Sequence, residues 1–175
     1  MKVKDKEFSI FIDRAKILER VAALAKEINQ DYEGKTPLFV AVLNGSFMFA
    51  SDLMKGIEIS AEISFIKLNS YNRTHSTGKV KELIGLDENI FGRHLIIIED
   101  IVDTGLTIKH MLEELRELGP KSVEIATLLH KKEATKEPLS LRYVGFEIPK
   151  KFVIGYGLDY DGHARNLNDI YSLAN

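Results

Sequence analysis

Short, unbroken apolar runs constrain this chain more than any other feature. Leu38-Phe39-Val40-Ala41-Val42-Leu43 and Leu95-Ile96-Ile97-Ile98 carry no polar position, so each reads as a strand covered on both faces. Around them, apolar residues recur at helical spacing. Ile17, Val21, Leu24 and Ile28, with Leu18 and Ala25 beside them, mark one helix that Asp13 can cap. Ile108, Met111, Leu112, Leu115 and Leu118 mark another, stopped by Gly119-Pro120. Gly34 and Pro37 punctuate the approach to the first run, Asn44-Gly45-Ser46 forms a tight turn after it, and a further helix starts near Phe47. Glu62 to Leu68, Val123 to Leu129 and Phe152 to Gly155 complete the strands. Strands alternating with amphipathic helices predict an α/β fold, an open twisted and mainly parallel sheet flanked by helices. No repeat, low-complexity stretch or linker divides the 175 residues, so one domain over 1–175 is expected.

Composition narrows the partners. The chain is 45% hydrophobic and 29% charged, in the range of a globular protein rather than a disordered one. A formal net charge of −2 provides no global field for nucleic acid or an anionic membrane, so neither is expected as a partner. The absence of cysteine excludes disulfides and thiolate metal sites. The start Met1-Lys2-Val3-Lys4-Asp5 lacks the apolar core of a signal peptide, and no apolar run is long enough to span a bilayer. A cytoplasmic location is expected.

Ligands of open α/β sheets sit beyond the carboxyl ends of the strands, here the residues after Leu43, Leu68, Ile98 and Leu129. The most informative of these segments is Glu99-Asp100-Ile101-Val102-Asp103-Thr104-Gly105-Leu106-Thr107. Thr104, Gly105 and Thr107 offer hydroxyls and backbone amides at a helix N-terminus, where the macrodipole favours an anion such as a phosphate monoester. Carboxylates repel phosphate, so Glu99 and Asp100 need a different partner: vicinal sugar hydroxyls, or a magnesium ion through water. The alternative for Asp103 is a helix cap, and for the pair a set of turn formers. A phosphate-binding Walker loop is excluded because its Gly-Lys-Ser/Thr end is missing. The Asp-Thr-Gly-x-Thr turn also does not suit a phospho-accepting receiver domain.

A hydrophobic strand, paired acids and an acid-x-Thr-Gly-x-Thr-like turn together resemble the signature of the type I phosphoribosyltransferases. From about Phe39 to Leu167 the chain resembles their hypoxanthine-guanine branch, on Leu43-Asn44-Gly45-Ser46, Ser70-Tyr71 with Ser76-Thr77-Gly78, Leu128-Leu129-His130-Lys131, Val144 to Pro149, Phe152 to Tyr160 and Arg165-Asn166-Leu167. The resemblance implies a fold with a small base-binding hood, and substrates phosphoribosyl pyrophosphate and an oxopurine base. Glu99 and Asp100 would hold the ribose hydroxyls, and Asp103, Thr104, Gly105, Leu106 and Thr107 the 5′-phosphate. Asp103 would also serve as general base or acid at the purine N7. Lys131 would donate to the purine O6, Phe152 would stack on the base and the Val153 backbone would read its edge. Asn44, Gly45, Ser46 and Arg165 would meet pyrophosphate. Magnesium would be the cofactor, with Asp159, Glu99 and Asp100 as candidate ligands. Ser70 and Tyr71 would belong to a loop over Ser70 to Lys79 that closes on the substrate. Taken alone, Asp159 reads as a turn residue and Phe152 as core.

Asn44 departs from the family's pattern, in which a lysine often occupies this position, and His130 has no assigned role. Adenine should be a poor substrate because its amino group would face Lys131. A xanthine preference remains open. A nucleotide-sensing, RNA-binding relative of the same fold is the reading from another class, and 24 Lys+Arg against 26 Asp+Glu give it no overall support. The resemblance further implies a homo-dimer or homo-tetramer.

Overall fold

The computed structural model describes residues 1–68 and 83–174. In chain order the elements are β1 (Lys2–Val3), β2 (Lys6–Ile12), α1 (Arg14–Asp31), β3 (Leu38–Leu43), α2 (Phe47–Lys55), β4 (Glu62–Leu68), β5 (Leu83–Ile84), β6 (His94–Val102), α3 (Leu106–Glu117), β7 (Ser122–His130), β8 (Tyr143–Glu147), β9 (Val153–Ile154) and β10 (Ile170–Leu173). The Asp13 side chain accepts from the Lys16 N–H at 3.0 Å and so starts α1. Gly105, at φ 84°, turns the chain into α3, and Gly119, at φ 69°, follows its end.

One sheet has the order β5-β4-β3-β6-β7-β8. All its pairings are parallel except that of β5 with β4, as the apolar runs predict. Phe39, Ala41, Ile96 and Ile98 pack with the α1 and α2 residues Ile17, Val21, Leu24, Ile28 and Leu53. Leu38, Val40, Leu95 and Ile97 pack with Ile108, Met111 and Leu115 of α3. Each such aliphatic burial contributes roughly 1.5–3 kcal/mol, so both faces of the sheet hold it in register. Because β3 has β4 on one side and β6 on the other, the strand order reverses there and leaves a crevice at their carboxyl ends.

A second, antiparallel sheet, β1-β2-β10-β9, forms the expected hood. The two ends of the chain build it together with Val153–Ile154, which the sequence reading did not anticipate. Two strand boundaries also differ from expectation. β6 does not end at Ile98 but continues through Glu99 and Asp100 to Val102, pairing with β7 to Val102↔His130. Its polar residues signalled a turn, yet the ladder and burial persist around them. The strand expected over Phe152 to Gly155 contracts to two residues, because Gly155 adopts φ 92° and opens a turn.

The turn after β9 seats the hood on the crevice. Gly157, at φ 101°, lies so close to the Gly45 carbonyl that any Cβ there would overlap it. The Tyr156 hydroxyl, on a buried ring, donates to Asp52 of α2 at 2.7 Å. Gly157→Ala should therefore lower stability by at least about 1–2 kcal/mol from backbone strain alone, with a further cost from the carbonyl contact. Urea denaturation measures this, and wild-type stability in the variant would contradict the close packing.

Candidate active site

The crevice is lined by the ends of β3, β6 and β7, and its acidic floor comes from β6. Glu99 is 7% exposed, and its Oε2 is buried without a hydrogen-bond partner among the described residues. Burial drives this carboxyl well above its ordinary range, and neighbouring Asp100 pushes it further. Burial also raises Asp100, to about 6, although the Ile101 N–H donates to its Oδ1 at 2.8 Å. Asp100 lies directly against Gly45, where a Cβ would overlap the carboxylate. The turn after β3 must therefore carry glycine for Asp100 to lie against it. Gly45 and Ser46 are buried and Asn44 is exposed, and the Leu43-Asn44 peptide is cis.

Past Val102 the chain forms the turn in which an anion is expected to sit. Asp103 and Thr104 are exposed, Gly105 is buried and Thr107 half-buried. Leu106 begins α3, and Thr104 just ahead of it lines the cavity described below. Thr104 Oγ1 accepts a long contact of 3.5 Å from the Leu106 N–H. The Asp103 side chain does not cap the helix: its Oδ2 accepts from Lys131 Nζ at 2.7 Å. Asp103 is half exposed and the Lys131 side chain only 13%. An acceptor and a donor thus stand side by side at the mouth of a cavity of about 360 Å³. Phe152 lines the same cavity, with its ring 43% exposed and edge-on to Tyr160 at 5.7 Å. It is not a core residue, whereas Val153 beside it is buried.

Asp159 and Arg165 belong to the hood's turn. Arg165 pairs with Asp159 Oδ1 at 2.7 Å and donates to the Gly157 carbonyl at 2.7 Å. Asp159 Oδ2 accepts from the Gly162 N–H at 2.7 Å, so this carboxylate acts as a turn residue as well as an ion-pair partner. Among the described residues no three Asp, Glu, His or Cys side chains converge into a metal cage. Adjacent Glu99 and Asp100 still suit a hard cation, since magnesium keeps several waters and takes one or two carboxylates plus substrate oxygens. Ser70, Tyr71 and the expected closing loop lie outside the described residues.

The sequence reading missed Ala134, Lys136, Lys150 and Lys151, which line the cavity with Lys131. Lys136 lies in the irregular stretch after β7, and the lysine pair precedes β9. Neither segment carries a periodic or turn signal that would have placed it over the crevice.

Residues 11–161 match the phosphoribosyl transferase domain. The chain is 42% identical over 163 residues to the hypoxanthine-guanine phosphoribosyltransferase of Dictyostelium discoideum, covering 90% of each chain. It is 41% identical to that of Bacillus subtilis, covering 90% of this chain and 88% of the relative. A crystal structure of a hypoxanthine-guanine phosphoribosyltransferase from Bacillus anthracis, with HEPES in its active site, superposes with a TM-score of 0.88 at 40% identity, covering 97% of this chain and all of the other. A Trypanosoma cruzi hypoxanthine phosphoribosyltransferase variant in a ternary substrates complex superposes with a TM-score of 0.89 at 34% identity, covering 98% and 97%.

The buried carboxylates make a signed prediction. Asp100 has a folded-state value of about 6 against an ordinary 3.8. Its contribution to stability is therefore complete below about pH 4 and is lost as pH rises through about 6. Asp100→Asn removes this dependence. The ligand-free variant should exceed wild type by about 2–3 kcal/mol at pH 8, with the difference vanishing near pH 4. Urea titrations at both pH values would test this, and a pH-independent difference would contradict it.

Proposed function

The chain belongs to the phosphoribosyltransferase family, and from that premise we propose how its residues join an oxopurine to ribose 5-phosphate. The reaction transfers the 5-phosphoribosyl group of phosphoribosyl pyrophosphate to N9 of hypoxanthine or guanine, releasing pyrophosphate and forming inosine or guanosine monophosphate. The observation that carries the residue assignment is the Lys131–Asp103 pair at 2.7 Å. A 6-oxopurine presents the acceptor O6 beside N7 on one edge. With a proton on N7, that edge offers an acceptor next to a donor, the complement of an ammonium next to a carboxylate.

In this reading Lys131 donates to O6 and Asp103 takes the N7 proton as the N9 lone pair forms its bond to C1′. The C1′–oxygen bond to pyrophosphate breaks in the same step, and the bonding pair leaves with the pyrophosphate. Positive charge builds on the sugar ring during the transfer; Glu99 and Asp100 would hold its hydroxyls, and Asp100, ionised above about pH 6, would offset that charge. The Thr104 and Gly105 amides at the start of α3 hold the 5′-phosphate. Phe152 covers the base and Val153 supplies backbone groups to its edge. Glu99, Asp100 and Asp159 would hold magnesium, which when bound would supply Lewis-acid stabilisation to the leaving pyrophosphate. Gly45 and Ser46 bind pyrophosphate through backbone amides, joined by Arg165, and Asn44 supplies no charge there. The whole chain acts as one domain, in the cytoplasm, as a homo-dimer or homo-tetramer. No helix among the described residues is long and apolar enough to cross a membrane.

The test is nucleotide formation from phosphoribosyl pyrophosphate with hypoxanthine, guanine, xanthine and adenine, with and without magnesium. Magnesium-dependent product with hypoxanthine or guanine, and little with adenine, is expected. Equal turnover of adenine would remove Lys131 from base recognition. Asp103→Asn should lower kcat by about 100-fold or more, the usual worth of a positioned proton acceptor. Lys131→Met should mainly raise KM for the base. Tight nucleotide binding without product from any base would favour a regulatory, nucleotide-sensing protein.

A further inference from the structure

His130 Nδ1 is buried without a hydrogen-bond partner among the described residues, and the reaction assigns this residue nothing. Its other ring nitrogen leads to a built contact. His130 Nε2 lies 3.1 Å from Thr135 Oγ1, and that hydroxyl reaches the Asp103 carbonyl at 2.8 Å and the Lys131 carbonyl at 3.1 Å. A hydroxyl has one proton to give. The Lys131 carbonyl already accepts the Ala134 and Thr135 amides, at 2.9 and 3.1 Å, and its distance to the hydroxyl is the longer. The Thr135 proton therefore goes to the Asp103 carbonyl. His130 Nε2–H donates to the Thr135 oxygen, which leaves Nδ1 as the unprotonated nitrogen.

The next residue continues the pattern, with the Lys136 N–H donating to the Thr104 carbonyl at 3.1 Å. The segment after β7 thus holds two successive carbonyls of the anion-binding turn. In a trans peptide the C=O and the following N–H point in opposite directions, and among the described residues the cis peptide is Leu43-Asn44. Holding the Asp103 and Thr104 carbonyls towards this segment, a strap after β7, therefore turns the Thr104 and Gly105 amides away from it. Neither amide makes a hydrogen bond among the described residues. Thr135 Cγ2 would lie 3.3 Å, and Leu139 Cδ1 2.8 Å, from a Cβ built on Gly105. The same threonine thus braces the turn at two points, and Lys109 Nζ on α3 closes the strap onto the helix through Glu137 at 2.9 Å.

We propose that Thr135, oriented by His130, is a positioning residue for phosphoribosyl transfer: its hydroxyl sets the peptide planes of the 5′-phosphate turn and holds the Asp103 backbone beside Lys131. The inference rests on the function proposed above. Thr135 touches neither phosphate nor base in this arrangement, so it acts through the turn.

Its two contacts can be separated. Thr135→Val keeps both branches and loses the hydroxyl, whereas Thr135→Ser keeps the hydroxyl and loses the methyl. For Thr135→Val we expect a roughly tenfold rise in KM for phosphoribosyl pyrophosphate and a similarly weakened affinity for ribose 5-phosphate, the scale of one neutral hydrogen bond. KM for the base should change by less than about twofold, and Thr135→Ser should recover the sugar-phosphate affinity to within about twofold. His130→Leu should fall between them, since the hydroxyl is then free to rotate to the Lys131 carbonyl. A role in stability alone would lower the melting temperature and the active fraction and leave both KM values unchanged, which would overturn the inference. So would equal damage from Thr135→Ser and Thr135→Val. If the wild-type protein forms no nucleotide, the functional reading fails, and the comparison of ribose 5-phosphate affinities still decides the role of Thr135.

Discussion

The parallel pairing of β6 with β7 is the constraint from which the site follows. Its register runs from His94↔Ser122 to Val102↔His130, and the Lys131 N–H extends the ladder by donating to the Val102 carbonyl at 2.9 Å. The first residues beyond the two strands are Asp103 and Lys131, so the register itself delivers carboxylate and ammonium to the same level. A slip of one residue would move every side chain of β6 to the opposite face, burying Ile96 and Ile98 in the wrong cluster. The ion pair is thereby set by the aliphatic core on both faces of the sheet, and with its carboxylate half exposed it adds little strength of its own.

The same strand carries an opposing cost. Glu99 and Asp100 are held in a crevice that water reaches poorly, and burial disfavours their charged forms. The fold tolerates a buried Glu99 and a half-buried Asp100 at the end of a strand whose apolar residues, Leu95 to Ile98, are fully covered. Gly45 completes the arrangement by removing the side chain that would otherwise collide with Asp100. Binding groups that cost stability are expected where a ligand supplies the missing partners.

Much of this was legible in the sequence where the signal is local. The apolar runs placed β3 and β6, helical spacing placed α1 and α3, and the Asp-Thr-Gly-x-Thr motif marked the turn that leads into α3. What was missed depends on distant partners. β2 escaped notice because its ladder with β10 shifts register between Ile170 and Tyr171, which breaks the alternation that identifies a half-buried strand. β6 was read too short because Glu99 and Asp100 look like a turn until neighbouring strands are seen to cover them. Thr135 carried no signal, since it meets Asp103 only after β6 and β7 have paired. Of the residues assigned by resemblance, Asp103, Thr104, Lys131 and Phe152 line one cavity, Asp100 lies against Gly45, and Asp159 pairs with Arg165, both of which act electrostatically on Asp100.

The Lys131–Asp103 contact also limits how such a protein can be altered. In the function proposed above, recognition of the base and movement of its proton would fall to the two halves of one ion pair. A variant that exchanges Lys131 to admit an amino-substituted purine leaves Asp103 without its cation at the step where that carboxylate is needed. On that proposal selectivity and turnover would not be independent traits. An altered preference has to be obtained together with a second change that gives the carboxylate a new neighbour, so single substitutions should trade one trait for the other.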